Sequence, residues 1–274
     1  MTKCDLFKSI SENVWNSICR NHNRNNRLSE EGVSRNTVIS DIQNYVEDHN
    51  TFNVFAQKSL NEVSSGGDIE IYIDNGHKEF YRILLQAKIV ELNGCFEHLN
   101  RYSGSTGRRQ YDTLRSFANQ TGSDAYYLMY NGCPGYTTKG SDCAGTYDEK
   151  QFGCALLTAN EIKRHCEGTS SGTLGNSRTC MPQGIPWRIL TCCDYNYKSG
   201  SKLYAPDEID MDPYFKNLFL ASDRISFITQ EQMINNERII RQNETLHRNG
   251  WKPSARIVVS KDGMYKGRDG LLEI

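Results

Sequence analysis

At 274 residues the chain suits one large domain or two small ones and is long enough to bury a substantial core. Its formal net charge of −1 supplies no global basic field, so a nucleic-acid face, if there is one, has to be local. No apolar run approaches the ~18 residues of a membrane span. No secretory signal is read at Met1-Thr2-Lys3-Cys4-Asp5, and the expected compartment is the cytosol.

Residues 5 to 20 place Leu6, Ile10, Val14, Trp15 and Ile18 at helical spacing, which predicts a helix with one buried face. A polar loop follows at Asn21-His22-Asn23-Arg24-Asn25-Asn26. Ser29 is a good N-cap with Glu30 and Glu31 in the next turn, so a second helix is predicted from there toward Val46. Residues 52–58 read as a strand. Strands are predicted at 68–73 and 81–90, joined by Asp74-Asn75-Gly76-His77-Lys78, whose Asn-Gly step is a hairpin signal. After a Gly/Ser-rich break at 102–107, a helix is predicted from about 108 to 120 and a strand over 125–130. Arg101, Arg108, Arg109 and Arg115 cluster there, as a local basic face or as a solvated helix face. Beyond 131 the chain turns rich in Gly, Ser, Thr and Cys. Short elements are expected at Cys154–Leu157, a helix at 158–166, a strand at 187–193, a polar helical stretch at 226–249 and a last strand at 255–260.

The ten cysteines include seven between 133 and 193 but no C-x-x-C pair. Reduced, buried thiols are therefore expected, with structural zinc as the weaker reading.

Alternation on strands aims Asp68 and Glu70 to one side and Gln86 and Lys88 to one side. The hairpin can thus gather two carboxylates, an amide and an ammonium around one point. Such a set can hold a divalent metal and activate water against a phosphodiester. Asp68 followed by Gln86-x-Lys88 on the next strand resembles the PD-(D/E)XK nuclease superfamily, in the variant with Gln for the acidic residue, as in Mrr-type restriction endonucleases. Glu62, the Gly66-Gly67-Asp68-x-Glu70 run, Gln86-Ala87-Lys88, Gln110-Tyr111-x-x-Leu114 and Tyr127-Leu128-Met129-Tyr130-Asn131 are similar to a family of uncharacterised bacterial nuclease-like proteins linked to phage defence. The likeness covers roughly residues 28 to 195.

The resemblance implies an α/β fold with a PD-(D/E)XK core, a central mixed sheet flanked by helices. Residues 1–195 would form that core with Cys-rich insertions, and 196–274 a C-terminal α/β extension packed on the same domain or beside it. It implies Mg²⁺ or Mn²⁺ held by Asp68, the Gln86 carbonyl, the Ala87 main-chain carbonyl and an acidic residue of the first core helix. Glu31 is the choice for that residue, with Glu30 the alternative and Glu47 a poorer one. Lys88 would position or deprotonate the water, which needs its pKa lowered by partial burial. Glu70 would assist, pairing with Lys88, or stand as a surface residue. Gln110 would lie near the scissile phosphate. The expected function is a nuclease acting on DNA rather than RNA, plausible as a prokaryotic anti-phage effector controlled by a homo-oligomer, a partner protein or a ligand. The alternative is a non-catalytic nucleic-acid- or protein-binding scaffold on the same fold.

Overall fold

The structure, a computed structural model, describes residues 2–49, 53–59, 68–77, 79–102, 107–132, 140–168, 174–175, 184–193, 201–205, 208–209, 253–260, 265–266 and 272–273. Glu62, Gly66, Gly67 and the expected helix at 226–249 lie outside those residues.

The first helix, α1 (Lys3–His22), starts where Thr2 and Asp5 form a capping box. Its apolar stripe from Leu6 to Ile18 is buried throughout. The predicted second helix is continuous in three pieces: α2 (Glu30–Val33), a π-helical segment (Ser34–Ile39) and α3 (Ser40–His49). Ser29 caps it as expected, its hydroxyl accepting from the Gly32 N–H at 3.0 Å.

The chain then builds β1 (Val54–Lys58), β2 (Ile69–Asp74), β3 (Phe80–Ile89), α4 (Gln110–Thr121), β4 (Asp124–Tyr130), β5 (Cys154–Thr158), α5 (Ala159–Gly168), β6 (Ile185–Pro186), α6 (Ile189–Cys192), β7 (Leu203–Tyr204) and β8 (Ala255–Val259). One mixed sheet of eight strands runs β1-β8-β2-β3-β4-β5-β6, with β7 paired to the first residues of β3. β8 is parallel to β2 and β4 parallel to β3, and the remaining pairs are antiparallel. The protein is thus α/β with a central mixed sheet flanked by helices.

One face of the central strands carries Ile69, Ile71, Ile73, Ile83, Leu85, Ile89, Ile257 and Val259, all in the large core. Tyr130 on that face meets Ser34 of the π segment at 2.7 Å. The opposite face carries Glu70, Tyr72, Arg82, Gln86, Lys88, Arg256 and Val258. α4 covers it, with Phe117 lying 5.4 Å from the Arg82 guanidinium. Because both faces are covered, the polar alternates of β2 are buried with the apolar ones. α1 closes onto the 3₁₀ turn Glu149–Gly153, where a Cβ on Gly153 would meet the Ser11 carbonyl oxygen at 1.9 Å. Only glycine admits that approach.

The structure departs from expectation in several places. β1 and β2, consecutive in the chain, are not neighbours in the sheet, because β8 lies between them. β7 and β8 both come after residue 195 and pair within the same sheet. The expected strand at 187–193 is a turn at Trp187-Arg188 followed by the helix α6, and the short strand β6 ends before it at Pro186. Trp187 leaves the strand direction to pack its ring 4.5 Å from Phe7 and to donate Nε1–H to the Phe7 carbonyl at 2.9 Å. The expectation of reduced thiols also fails for four cysteines, which form the disulfides Cys4–Cys192 and Cys143–Cys193. Cys19, Cys95, Cys154 and Cys166 take part in neither of these two disulfides. No helix among the described residues is long and apolar enough to cross a membrane.

Candidate functional site

Ile69 pairs with Leu85 across the β2–β3 ladder, so Asp68, just before β2, falls opposite Gln86. Lys88 follows two residues further along on the same face. All three are nearly sealed from solvent: Asp68 and Gln86 are 6% exposed and Lys88 8%. The Gln86 Nε2 donates to Asp68 Oδ1, and the Ala87 amide donates a backbone hydrogen bond to the same carboxylate. The main chain of Asp68 is fixed from the other side. Its carbonyl accepts the Ser254 N–H at 2.8 Å, the Ser254 hydroxyl at 2.8 Å and the Ala255 N–H at 3.3 Å.

The electrostatics of the two charged members oppose each other. Burial pushes the Asp68 carboxyl well above its ordinary range, although Lys88 and the hydrogen bonds from Ala87 and Gln86 pull the other way. Burial also lowers the Lys88 ammonium below its usual value, and Arg101 adds to that, while Glu30 and Asp68 resist it. Both shifts favour the neutral forms, an acid that holds its proton and an amine that sheds one. Active sites tune groups in this way, although buried structural pairs do so as well.

The other predicted residues divide. Glu31 faces away, pairing with Arg35 at 3.1 Å, and its side chain is 40% exposed. Glu30, the alternative, is the helix carboxylate whose field reaches both Asp68 and Lys88. One residue on a helix is about 100° of rotation, enough to separate Glu30, whose charge acts on the site, from Glu31, which is paired with Arg35. Glu70 shares the face of Asp68 but does not pair with Lys88 and is not on the surface. It is fully buried and receives Arg82 through Nε at 3.0 Å and Nη2 at 2.6 Å, and Arg256 through Nε at 2.7 Å. Gln110 opens α4. Its N–H donates to the Arg101 carbonyl at 2.9 Å, and its buried Oε1 has no hydrogen-bond partner among the described residues. Ala87 supplies its amide to Asp68, and its carbonyl points to the same edge, since the N–H and C=O of one strand residue face one neighbour.

Three residues at the site were not anticipated. Ser254, just before β8, and Arg256 of β8 lie 186 residues after Asp68 and Glu70, and no local pattern announces such a pairing. Tyr127 stands beside Gln86 in the β3–β4 register, fully buried, with a hydroxyl that lacks a hydrogen-bond partner among the described residues. The Tyr127–Asn131 run was read as part of a motif, but alternation alone did not single out that ring.

The donor set is oxygen only: the Asp68 and Glu30 carboxylates, the Gln86 amide oxygen and the Ala87 carbonyl. That chemistry fits a hard divalent cation such as Mg²⁺ or Mn²⁺ better than zinc. A cation there would stabilise the buried Asp68 anion, and the unpartnered Gln110 and Tyr127 oxygens are sites where ordered water would be satisfied. Elsewhere among the described residues, Asp142, Cys143 and Cys193 lie close enough to share an ion. Those two cysteines are joined in a disulfide and Asp142 takes the Arg188 guanidinium through both oxygens at 2.9 Å, so the cluster is committed without a metal.

Fold and site together define an α/β protein with a buried carboxylate–amide–lysine cluster on the central strands of a mixed sheet. A family model described as a family of unknown function (DUF6615) matches residues 3–263, and the chain belongs to that family. No curated protein matches the chain, and no solved structure does.

Proposed function

We propose that the protein is a metal-dependent nuclease of the PD-(D/E)XK type that hydrolyses phosphodiester bonds, with DNA the preferred substrate over RNA. The observation that carries this reading is the convergence of Asp68, Gln86 and Lys88 in one nearly water-free place, with Asp68 raised and Lys88 lowered from their ordinary pKa values. An ordinary core places aliphatic side chains at such positions, because burying charge costs several kcal/mol for each ion.

A magnesium or manganese ion held by Asp68, Gln86, the Ala87 carbonyl and Glu30 would supply Lewis acidity to the phosphate and acidity to a bound water. Asp68 gives the negative charge that selects a cation. Gln86 orients Asp68 through its amide hydrogen and keeps its own carbonyl oxygen as a neutral ligand. Lys88, with its proton loosened by burial, accepts a proton from the attacking water, and as an ammonium it steadies the negative charge developing on the phosphate. Ser254 positions Asp68 by holding its carbonyl. The setting proposed with this activity, a prokaryotic cytosol, a role in phage defence and control by an oligomer or partner, comes from the resemblance and not from the site.

The test is Mg²⁺- or Mn²⁺-dependent cleavage of DNA and RNA by wild type and Lys88→Ala. Cleavage that disappears in the variant supports the reading. Cleavage at equal rates in both, or none in either, favours the non-catalytic scaffold.

A further inference from the structure

The solvent side of α4 carries a second polar feature. Arg108, Asp112, Arg115 and Asn119 recur at three- and four-residue steps, and with Arg109 and Tyr102 they line an open groove of about 570 Å³. Its charge is biased. Asp112 is the acid among these lining residues, and it already faces Arg115 at 3.3 Å and Lys163 of α5 at 3.2 Å. The groove is therefore a cationic strip on a chain whose formal net charge is −1.

Tyr102 gives the groove a second chemistry. It is 57% exposed, and among the described residues it shares with Leu92 the position of an exposed large hydrophobic side chain. A single exposed tyrosine needs no explanation in itself, but this one is mounted. The Arg109 guanidinium lies 3.9 Å from the ring centroid, and Arg109 is held in turn by donating Nη1–H to the Asn100 carbonyl. Tyr102 and Arg109 also pair through an isolated backbone bridge. The ring is thus fixed, backed by a cation, and still more than half open.

We propose that this groove binds an unpaired strand of nucleic acid, with a base stacked on Tyr102 and phosphates held by Arg108 and Arg115. An aromatic face can meet a base face only where the base is unpaired, since a duplex offers grooves and edges. Guanidinium forks match phosphate oxygens in pairs. The groove is close to the site in the chain: Arg101, next to Tyr102, accepts the Gln110 N–H at its carbonyl at 2.9 Å, and its charge acts on Lys88. The inference rests on the nuclease reading for what the strand is brought to, and on the groove alone for the binding.

The experiment is fluorescence anisotropy in EDTA, with a labelled single-stranded DNA, the matching RNA and a blunt DNA duplex. Tighter binding of a single strand than of the duplex is expected, and the two single-stranded probes tell DNA from RNA. Tyr102→Ala should weaken single-strand binding by about 5- to 150-fold, the loss of one stacked base, and Tyr102→Trp should restore it. Arg115→Gln should lower the slope of log K against log salt by about 0.7, one phosphate contact on a single strand. Duplex bound as tightly as single strand, or Tyr102→Ala binding like wild type while its thermal melt is unchanged, would overturn the proposal. Cleavage in Mn²⁺ by wild type and Lys88→Ala is read separately. Lys88-dependent cleavage with no Tyr102 effect refutes the groove and leaves the nuclease. Tyr102-dependent binding with no Lys88-dependent cleavage supports the groove and refutes the nuclease.

Discussion

Asp68 and Glu70 stand two residues apart on one face of one strand, yet their substitution should give opposite results. Glu70 is fully buried between two guanidiniums, with the Arg82 side chain 4% exposed and the Arg256 side chain sealed. Arg82 reaches one of its oxygens at 3.0 and 2.6 Å, and Arg256 reaches the other through Nε and Nη2, each at 2.7 Å. Glu70→Gln keeps the shape and removes the charge, leaving two buried cations without their anion. Breaking a buried ionic group this way costs about 3–5 kcal/mol. The rings of Tyr72, Phe117 and Tyr204, all within 5.8 Å of the Arg82 guanidinium, remain as cation–π partners and hold the loss within that range. With a urea m-value of about 3 kcal/mol/M, the midpoint should fall by roughly 1–2 M. The assay is urea unfolding followed by circular dichroism, beside a Mn²⁺ thermal shift at a urea-free baseline. Glu70→Gln should lose stability and keep the metal shift, whereas Asp68→Asn should keep or gain stability and lose the shift. A Glu70→Gln protein that is stable to within about 1 kcal/mol of wild type but no longer responds to Mn²⁺ would refute the structural role given to Glu70.

Three further predictions concern the neighbourhood of the site and the cross-links. Ser254→Ala removes one of the three hydrogen bonds to the Asp68 carbonyl; it should cost about 1 kcal/mol in urea unfolding, and lower kcat with little change in KM if Ser254 positions Asp68. The Mn²⁺ shift should grow with pH. The folded-state pKa of Asp68 is raised above 3.8, so its protonated form contributes stability that is lost as pH rises through that folded pKa, and the carboxylate a metal needs appears only there. A thermal-shift series from acid to mildly alkaline buffer should therefore show a metal response that increases through the window above 3.8 and is absent at every pH in Asp68→Asn. The disulfide Cys143–Cys193 closes a separation of 50 residues, so Cys143→Ser with Cys193→Ser should cost about 4 kcal/mol on chain-entropy grounds, visible as a lower melting temperature than that of the oxidised wild type.

Much of the fold is legible from local pattern, because strands such as 69–74 and 80–89 and helices such as 3–22 carry their periodicity within themselves. Sheet order is not local. The apolar run Ile257-Val258-Val259 reads as a strand, but nothing near it says that it enters the middle of the sheet beside β2. The site divides in the same way. Asp68, Gln86 and Lys88 could be read together because period-two alternation and one hairpin fix them to a face. Glu30 and Glu31 cannot be told apart locally, because the rotation of a helix is settled by docking and not by its own cap. The ion-pair role of Glu70 has no local sign, because its partner Arg256 lies 186 residues away. The disulfides were missed because Cys4 and Cys192 are 188 residues apart and spacing alone does not give connectivity.

The measurement that tests the central claim most directly is single-turnover cleavage of labelled DNA in Mn²⁺ by wild type, Asp68→Asn and Lys88→Ala, with Mn²⁺ binding followed on the same samples. The account predicts that Asp68→Asn loses both metal binding and cleavage, while Lys88→Ala keeps the metal and loses cleavage. Cleavage that survives both substitutions would contradict it.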